Sequence, residues 1–221
     1  MSRPHVETLV VATSNRGKLE ELRTLLAGLP VDVRSVAEVL REPPHVVEDG
    51  ETFSANAVKK ARAVAHATMM LTLADDSGLE VDALDGRPGV RSARFAHPRA
   101  TDAENNAALL AALEELGDPP EKEGFRARFR CVLALVDPFT GGGEPRIVEG
   151  TCKGTVTRTP RGSGGFGYDP LFVVDQTETT MAELGEEEKN RVSHRGRAFA
   201  LLLPVLRSVL AERAAQTASA G

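Results

Sequence analysis

Two adjacent carboxylates, Asp75 and Asp76, stand at the end of the short apolar run Met69 to Ala74 and are followed by Ser77-Gly78. That order predicts a buried strand delivering charge to its own C-terminal edge, which is where open α/β sheets place ligands. Neighbouring acids repel, so both stay ionised only where a cation or hydrogen-bond donors hold them, and their hard oxygens suit Mg²⁺. The chemistry on offer is metal binding and general-base catalysis. The same residues also make an ordinary turn, because Asp, Ser and Gly each favour turns for local reasons.

Three other stretches carry comparable chemistry. Thr13-Ser14-Asn15-Arg16-Gly17-Lys18 lies between a Val-rich run, Thr8 to Thr13, and a leucine row at helical spacing, Leu19, Leu22, Leu26 and Leu29. A strand-to-helix junction aims backbone N–H groups and a helix dipole at the loop, and Lys18 adds a charge, so a phosphate fits there. A plain N-cap by Ser14 or Asn15 accounts for the same letters. Glu48 precedes a helix whose face is Phe53, Ala57, Ala61 and Val64, with Thr52 as its expected N-cap and Asn56 and Lys60 sharing another face. As a loop acid, Glu48 could ligate the same metal as Asp76. Finally, Gly162, Gly164 and Gly167 satisfy G-x-G-x-x-G, but Pro160 precedes them and Tyr168 to Phe172 reads as extended chain, so the dinucleotide fingerprint is rejected. The glycines allow close backbone approach, and in a chain with only 4% aromatic residues Phe166 and Tyr168 in one glycine loop are better explained as flat faces for a base, with a core-filling pair as the alternative.

The elements that must position these groups follow from periodicity. Val31 to Val36 reads as a strand, and Thr101 or Asp102 caps a helix through Leu116, with Leu109, Leu113 and Leu116 inward and Gly117 to Pro120 ending it. Phe125 to Val136 and Arg146 to Arg158 form a long hairpin about Gly141-Gly142-Gly143, which would bring Cys131 and Cys152 together across the strands. After an acidic run, Lys189 to Arg195 is basic, and Ser193 caps a final helix packed through Phe199, Leu202, Leu203, Leu206 and Leu210, kinked at Pro204 and frayed after Ala211. With 221 residues, 41% of them apolar, the chain can bury a sizeable core as one α/β domain of two lobes over residues 1–221. Its formal charge of −5 argues against nucleic acid or an anionic membrane as partner. No run is long enough to span a bilayer and Met1 to Glu7 lacks a signal-peptide core, so a cytoplasmic location with reduced thiols is expected.

Taken together and in order, these stretches resemble the inosine/xanthosine triphosphate pyrophosphatase family. The resemblance is carried by residues 13–18, Thr52-Phe53 with Asn56-Ala57 and Lys60-Ala61, residues 74–79, Pro88-Gly89 with Ser92-Ala93-Arg94, residues 165–170, and Ser193-His194-Arg195-Gly196. It implies a two-lobed mixed sheet flanked by helices with a central nucleotide-binding cleft, usually in a homodimer, that hydrolyses ITP, dITP or XTP to the monophosphate and pyrophosphate with Mg²⁺. On this chain Asp76 takes the proton-acceptor and metal position and Glu48 that of the second metal acid. Thr13 to Lys18, Lys60 and Ser77 would meet the triphosphate, while Phe166, Gly167, Tyr168, Asp169, Lys189, His194 and Arg195 would form the nucleoside pocket. Either Asp75 or Asp76 could activate the water. Two departures stand out: Ala55 where many members carry an acid, and Pro204 inside the last helix. A Maf-like nucleotide pyrophosphatase and a regulatory module that binds nucleotide without turnover are the competing readings. The residues Phe166 to Asp169 and Ser193 to Arg195 speak against the first, and the acid pair against the second.

Overall fold

The computed structural model describes residues 6–118 and 124–219. In chain order its elements are β1 (Glu7–Val11), α1 (Arg16–Leu26), β2 (Val31–Ser35), α2 (Val36–Val39), α3 (Phe53–Thr68), β3 (Leu71–Val81), α4 (Asp102–Glu114), β4 (Phe125–Val136), β5 (Arg146–Val156), β6 (Phe172–Val174), α5 (Glu186–Val192) and α6 (His194–Ser219). The strands hydrogen-bond in the order β2-β1-β3-β4-β5-β6. β1 runs parallel to β2 and β3, whereas β5 and β6 are antiparallel, so the sheet is mixed, flanked by helices.

The chain divides into two compact units: residues 1–76, 132–149 and 198–221, and residues 77–131 with 150–197. In the first, Leu9, Val10 and Val11 of β1 and Leu71 and Leu73 of β3 are fully buried, with Leu22 and Leu26 of α1 and Ala57 and Ala61 of α3. Runs buried on both faces read as continuous apolar letters, which is why these strands show no alternation. In the second, Leu79, Val81, Leu109, Leu113, Phe125, Phe129, Phe172 and Met181 form the core.

Several expectations are corrected. β3 does not stop at the acids: Asp75, Asp76, Ser77 and Gly78 all lie within the strand, not in a turn. The reason is visible at Gly78, where a Cβ would lie 2.6 Å from Gly89 O and 2.8 Å from Ser92 Cβ, so this glycine serves close packing of an extended chain. Leu116 is half exposed, beyond the end of α4 at Glu114. Pro119 and Pro120, expected to end that helix, lie outside the described residues. Asp169–Leu171 is a short 3₁₀ turn rather than extended chain. The acidic and basic runs before Ser193 form α5, and α6 continues past Ala211 to Ser219 with Pro204 inside it. Cys131 and Cys152 are buried on adjacent strands, and burial pushes the Cys152 thiol up to about 11. Among the described residues no helix is long and apolar enough to cross a membrane.

Candidate functional site

The parallel pairing of β1 with β3 sets the loop after β1 beside the acids. Leu9 pairs with Leu71 and Val11 with Leu73, and Ala12 N–H donates to Leu73 O, so the chain leaves β1 alongside Ala74 and Asp75. Asn15 then caps α1 by accepting from Lys18 N–H, which settles the choice between Ser14 and Asn15 and points Lys18 from the first helical turn. Lys18 Nζ lies 2.8 Å from Asp75 Oδ1, and the Asp75 side chain is fully buried.

Asp76 is served from the other side. Thr52 caps α3 as expected, and the helix brings Lys60 Nζ within 2.8 Å of Asp76 Oδ1 and 3.0 Å of Glu48 Oε2. Glu48 reaches that lysine because Asn56, one turn earlier, clasps the loop: its Oδ1 accepts Gly50 N–H at 2.8 Å and its Nδ2 donates to Gly50 O. By sequence Asn56 is only a motif letter. Its amide among the alanines of that helix, buried here, is the signal that could mark it.

Electrostatics separate the two acids that share Lys60. Burial pushes Asp76 up, and although Lys60 and Lys18 pull it down, the balance stays above the ordinary carboxylate range. Burial also pushes Glu48 up, but Lys60, a hydrogen bond with Asp76 and the charge of Lys18 together hold it below its ordinary value. Lys60 itself is raised: burial disfavours its charge, but Asp76 and Glu48 more than compensate. Asp76 Oδ2 is buried and accepts no hydrogen bond among the described residues. A buried carboxylate oxygen without a donor is an open coordination position. No group of three or more His, Cys, Asp or Glu gathers there among the described residues. Two carboxylates nevertheless fit Mg²⁺, which takes one or two from protein and completes its shell with water and phosphate oxygens.

The second cluster belongs to the other unit and surrounds Phe166. Lys189 Nζ lies 5.2 Å and Arg195 Cζ 5.6 Å from the ring centroid, both within cation–π range. Asp169 Oδ2 accepts from Lys189 Nζ at 2.7 Å and from Phe166 N–H at 3.0 Å. A Cβ on Gly165 would strike Asp169 Oδ2 and lie 2.8 Å from Lys189 Nζ, and its φ of +72° is a glycine conformation, so this position admits nothing larger. Arg195, 1% exposed, donates to Ser77 Oγ at 2.9 Å. His194 stacks on Phe129 at 4.7 Å between centroids.

Tyr168 departs from expectation. It is 4% exposed, its ring belongs to the core, and its hydroxyl donates to Ser92 O at 2.9 Å, so of the two loop aromatics Phe166 is the one left outside the core. Burial pushes the Tyr168 hydroxyl well above its ordinary range, which keeps it a donor. Tyr168→Phe should therefore lower stability by about 1–3 kcal/mol, the cost of leaving Ser92 O without its donor. Thermal unfolding checks this.

Thus Lys18, Asp75, Lys60, Asp76 and Glu48 are brought together in one unit, and Ser77, Phe166, Asp169, Lys189 and Arg195 in the other. Asp76 ends the first and Ser77, next in the chain, begins the second. Thr13 gives local help only, its hydroxyl accepting Asn15 N–H.

The Ham1 family model matches residues 9–205. A dITP/XTP pyrophosphatase of Geobacter sulfurreducens is 53% identical over 194 residues, 88% of this chain and 94% of that protein. One from Desulforamulus reducens is 50% identical over 90% of this chain and 94% of its own length. Among solved structures, a HAM1 protein from Coxiella burnetii superposes with a TM-score of 0.79 at 41% identity, covering 91% of this chain and 99% of that one.

Proposed function

The chain belongs to the Ham1 family, and from that premise we propose that it hydrolyses dITP, ITP and XTP to the nucleoside monophosphate and pyrophosphate. The observation that carries this reading is the pairing of each central acid with its own lysine, Lys18 with Asp75 and Lys60 with Asp76, beside an Asp76 oxygen left without a donor.

In this reading Lys18 and Lys60 turn toward the polyphosphate when it binds, exchanging one set of oxygens for another, and offset its charge. Glu48 and Asp76 would hold Mg²⁺, which when bound neutralises phosphate charge and orients the phosphate chain. Asp76, whose Oδ2 is buried beside Lys60 without a donor among the described residues, serves as the base that takes the proton from water. Water oxygen bonds to the α-phosphorus, the bond from that phosphorus to the α–β bridging oxygen breaks, pyrophosphate leaves, and the water proton passes to Asp76.

Base selection falls to the Phe166 cluster. The 6-oxo group of hypoxanthine or xanthine is an acceptor where adenine presents an amino donor. The N–H groups of Phe166, Gly167 and Asp169 are already committed to Asp169, Asp102 and Phe166 O. Donors to a 6-oxo group therefore come from side chains, with Arg195, His194 and Lys189 as the candidates. Opposing an adenine amino group to such a donor costs roughly 1–3 kcal/mol. Guanine shares the 6-oxo group, so its exclusion rests on the treatment of its 2-amino group.

A cytoplasmic homodimer completes the proposal. Exposed Phe139, Ile147 and Leu201, all in the first unit, support a self-contact. The test is pyrophosphate release from ITP, XTP, dITP, GTP and ATP with and without Mg²⁺. Fast metal-dependent release from the first three, and slow release from the last two, is expected. Nucleotide retained without any release would instead favour a binding module.

A further inference from the structure

Gly167, at the centre of the loop that carries Phe166, is gripped from one helix at both ends of its residue. Gly167 N–H donates to Asp102 Oδ2 at 2.7 Å, and Asn106 Nδ2 donates to Gly167 O at 3.0 Å. Asp102 and Asn106 stand four apart on α4, so one helical face presents an acceptor and a donor together. An amide flip at Asn106 would set its oxygen against the Gly167 oxygen, so the orientation is dictated. Asn106 Oδ1 is buried and has no hydrogen-bond partner among the described residues, so the grip on Gly167 is the polar contact that this side chain makes.

The helix end that does this is itself fixed. Thr101 and Glu104 form a capping box, which sets the turn bearing Asp102. Buried Asn105 accepts Ala96 N–H and donates to Ala93 O, tying the same turn to residues 93–96. Ser92, just before, accepts Leu79 N–H through Oγ and receives the Tyr168 hydroxyl on its carbonyl. The loop is thus referenced to β3 through Ser92, which holds Tyr168, and to α4 through the grip on Gly167, both within the Phe166–Tyr168 segment.

We propose that Asp102 and Asn106 are positioning residues for base recognition, holding the Gly167 peptide so that the Phe166 ring stands at a fixed place beneath Lys189 and Arg195. This inference rests on the pyrophosphatase reading and deepens it. Neither residue touches the reacting atoms, so their loss falls on nucleoside binding and leaves the chemical step alone.

The experiment compares the native chain with Asn106→Leu, Asp102→Ala and Asp102→Asn. For each, KM and kcat on ITP are measured, along with inhibition by inorganic tripolyphosphate, which has no base. Asn106→Leu should raise KM about tenfold, the scale of one buried hydrogen bond. Asp102→Ala, whose contact is solvent-exposed, should raise it about threefold on the same scale. Asp102→Asn keeps an oxygen for Gly167 N–H and should restore native KM. In all three kcat and tripolyphosphate inhibition should stay native, the signature of lost ground-state contact to the nucleoside. Native KM in a folded Asn106→Leu chain sinks the inference, as does an equal loss of tripolyphosphate inhibition, which would mean general loosening. Should Asn106→Leu fail to fold, the Asp102 pair decides alone. A native chain that does not cleave ITP overturns the pyrophosphatase reading and takes this inference with it, whereas native cleavage with unmoved variants overturns this inference only.

Discussion

Asp76→Asn should abolish metal-dependent pyrophosphate release while leaving the protein as stable as before or more so. The fall in kcat should be about 10² to 10⁴, the usual contribution of a general base, with weakened metal binding added to it. The stability arm follows from linkage. Burial raises the Asp76 carboxyl above its ordinary value of 3.8 despite Lys60 and Lys18. Between that value and the raised one the folded chain binds a proton that the unfolded chain has released. Asp76 therefore destabilises the fold progressively as pH rises through this window, and fully above it. Glu48 works in the opposite sense. Held below 4.5 chiefly by Lys60 against the pull of burial, it contributes stability that is present above 4.5 and fades as pH falls through its lowered value. Replacing Asp76 by a neutral isostere at neutral pH removes the first contribution. Turnover assays and metal-free thermal unfolding at pH 7 read the two arms separately. Inactivity with a raised or equal Tm marks Asp76 as a group kept for chemistry at the expense of the fold. Inactivity with a clearly lowered Tm would recast it as a structural partner of Lys60.

The letters around Asp76 are legible because their chemistry is local: an apolar run, two acids, and a capped helix delivering Lys60 by spacing alone. What cannot be read is the direction of the strand beyond them. Asp, Ser and Gly are turn residues by propensity, and only Ser92 and Gly89, brought in from residues beyond a 3₁₀ segment, show that Gly78 is extended. Tyr168 illustrates the same limit. An aromatic in a glycine loop is equally suited to a ligand or to a core, and it is Ser92 O, 76 residues away in sequence, that decides for the core. Leu116 is misplaced by continuing a period past the point where Gly117, with φ +81°, ends it. α5 escapes notice because Glu186 to Arg191 is polar throughout and carries no apolar stripe to announce a helix. The Asp102 and Asn106 grip is invisible for a different reason. Both residues sit in the polar first turns of α4, where Asp and Asn are ordinary, and the peptide they hold lies 61 to 65 residues downstream.

Gly196→Ala should be among the most damaging single changes in the chain, although it adds one methyl group at a helical position. α5 and α6 meet where Asn190 O faces Gly196, and an alanine Cβ there would fall far inside van der Waals distance of that oxygen, 2.7 Å from Asn190 C and 3.4 Å from its Cα. All three atoms are backbone, so no rotamer change relieves the clash and the two helices must move apart. Alanine's better helix propensity returns about 1 kcal/mol. Overpacking against side chains already costs about 1–3 kcal/mol, and a backbone obstacle stands at or above the top of that range. The clash wins, with a net loss of about 2 kcal/mol or more. At about 2–4 °C per kcal/mol for a chain of this size, Tm should drop by roughly 4–8 °C. Function should suffer with it, because α5 carries Lys189 and α6 begins with His194 and Arg195, the cations arranged around Phe166. Separating the helices shifts Lys189 from Arg195, so KM for ITP should rise in the protein that remains folded. Gly185→Ala is the matched control: nothing lies within 4 Å of the place its methyl group would take, and its expected cost is under about 1 kcal/mol as an N-cap change. Equal Tm values for the two variants would show that α5 and α6 are not held in the close approach on which the Phe166 cluster depends.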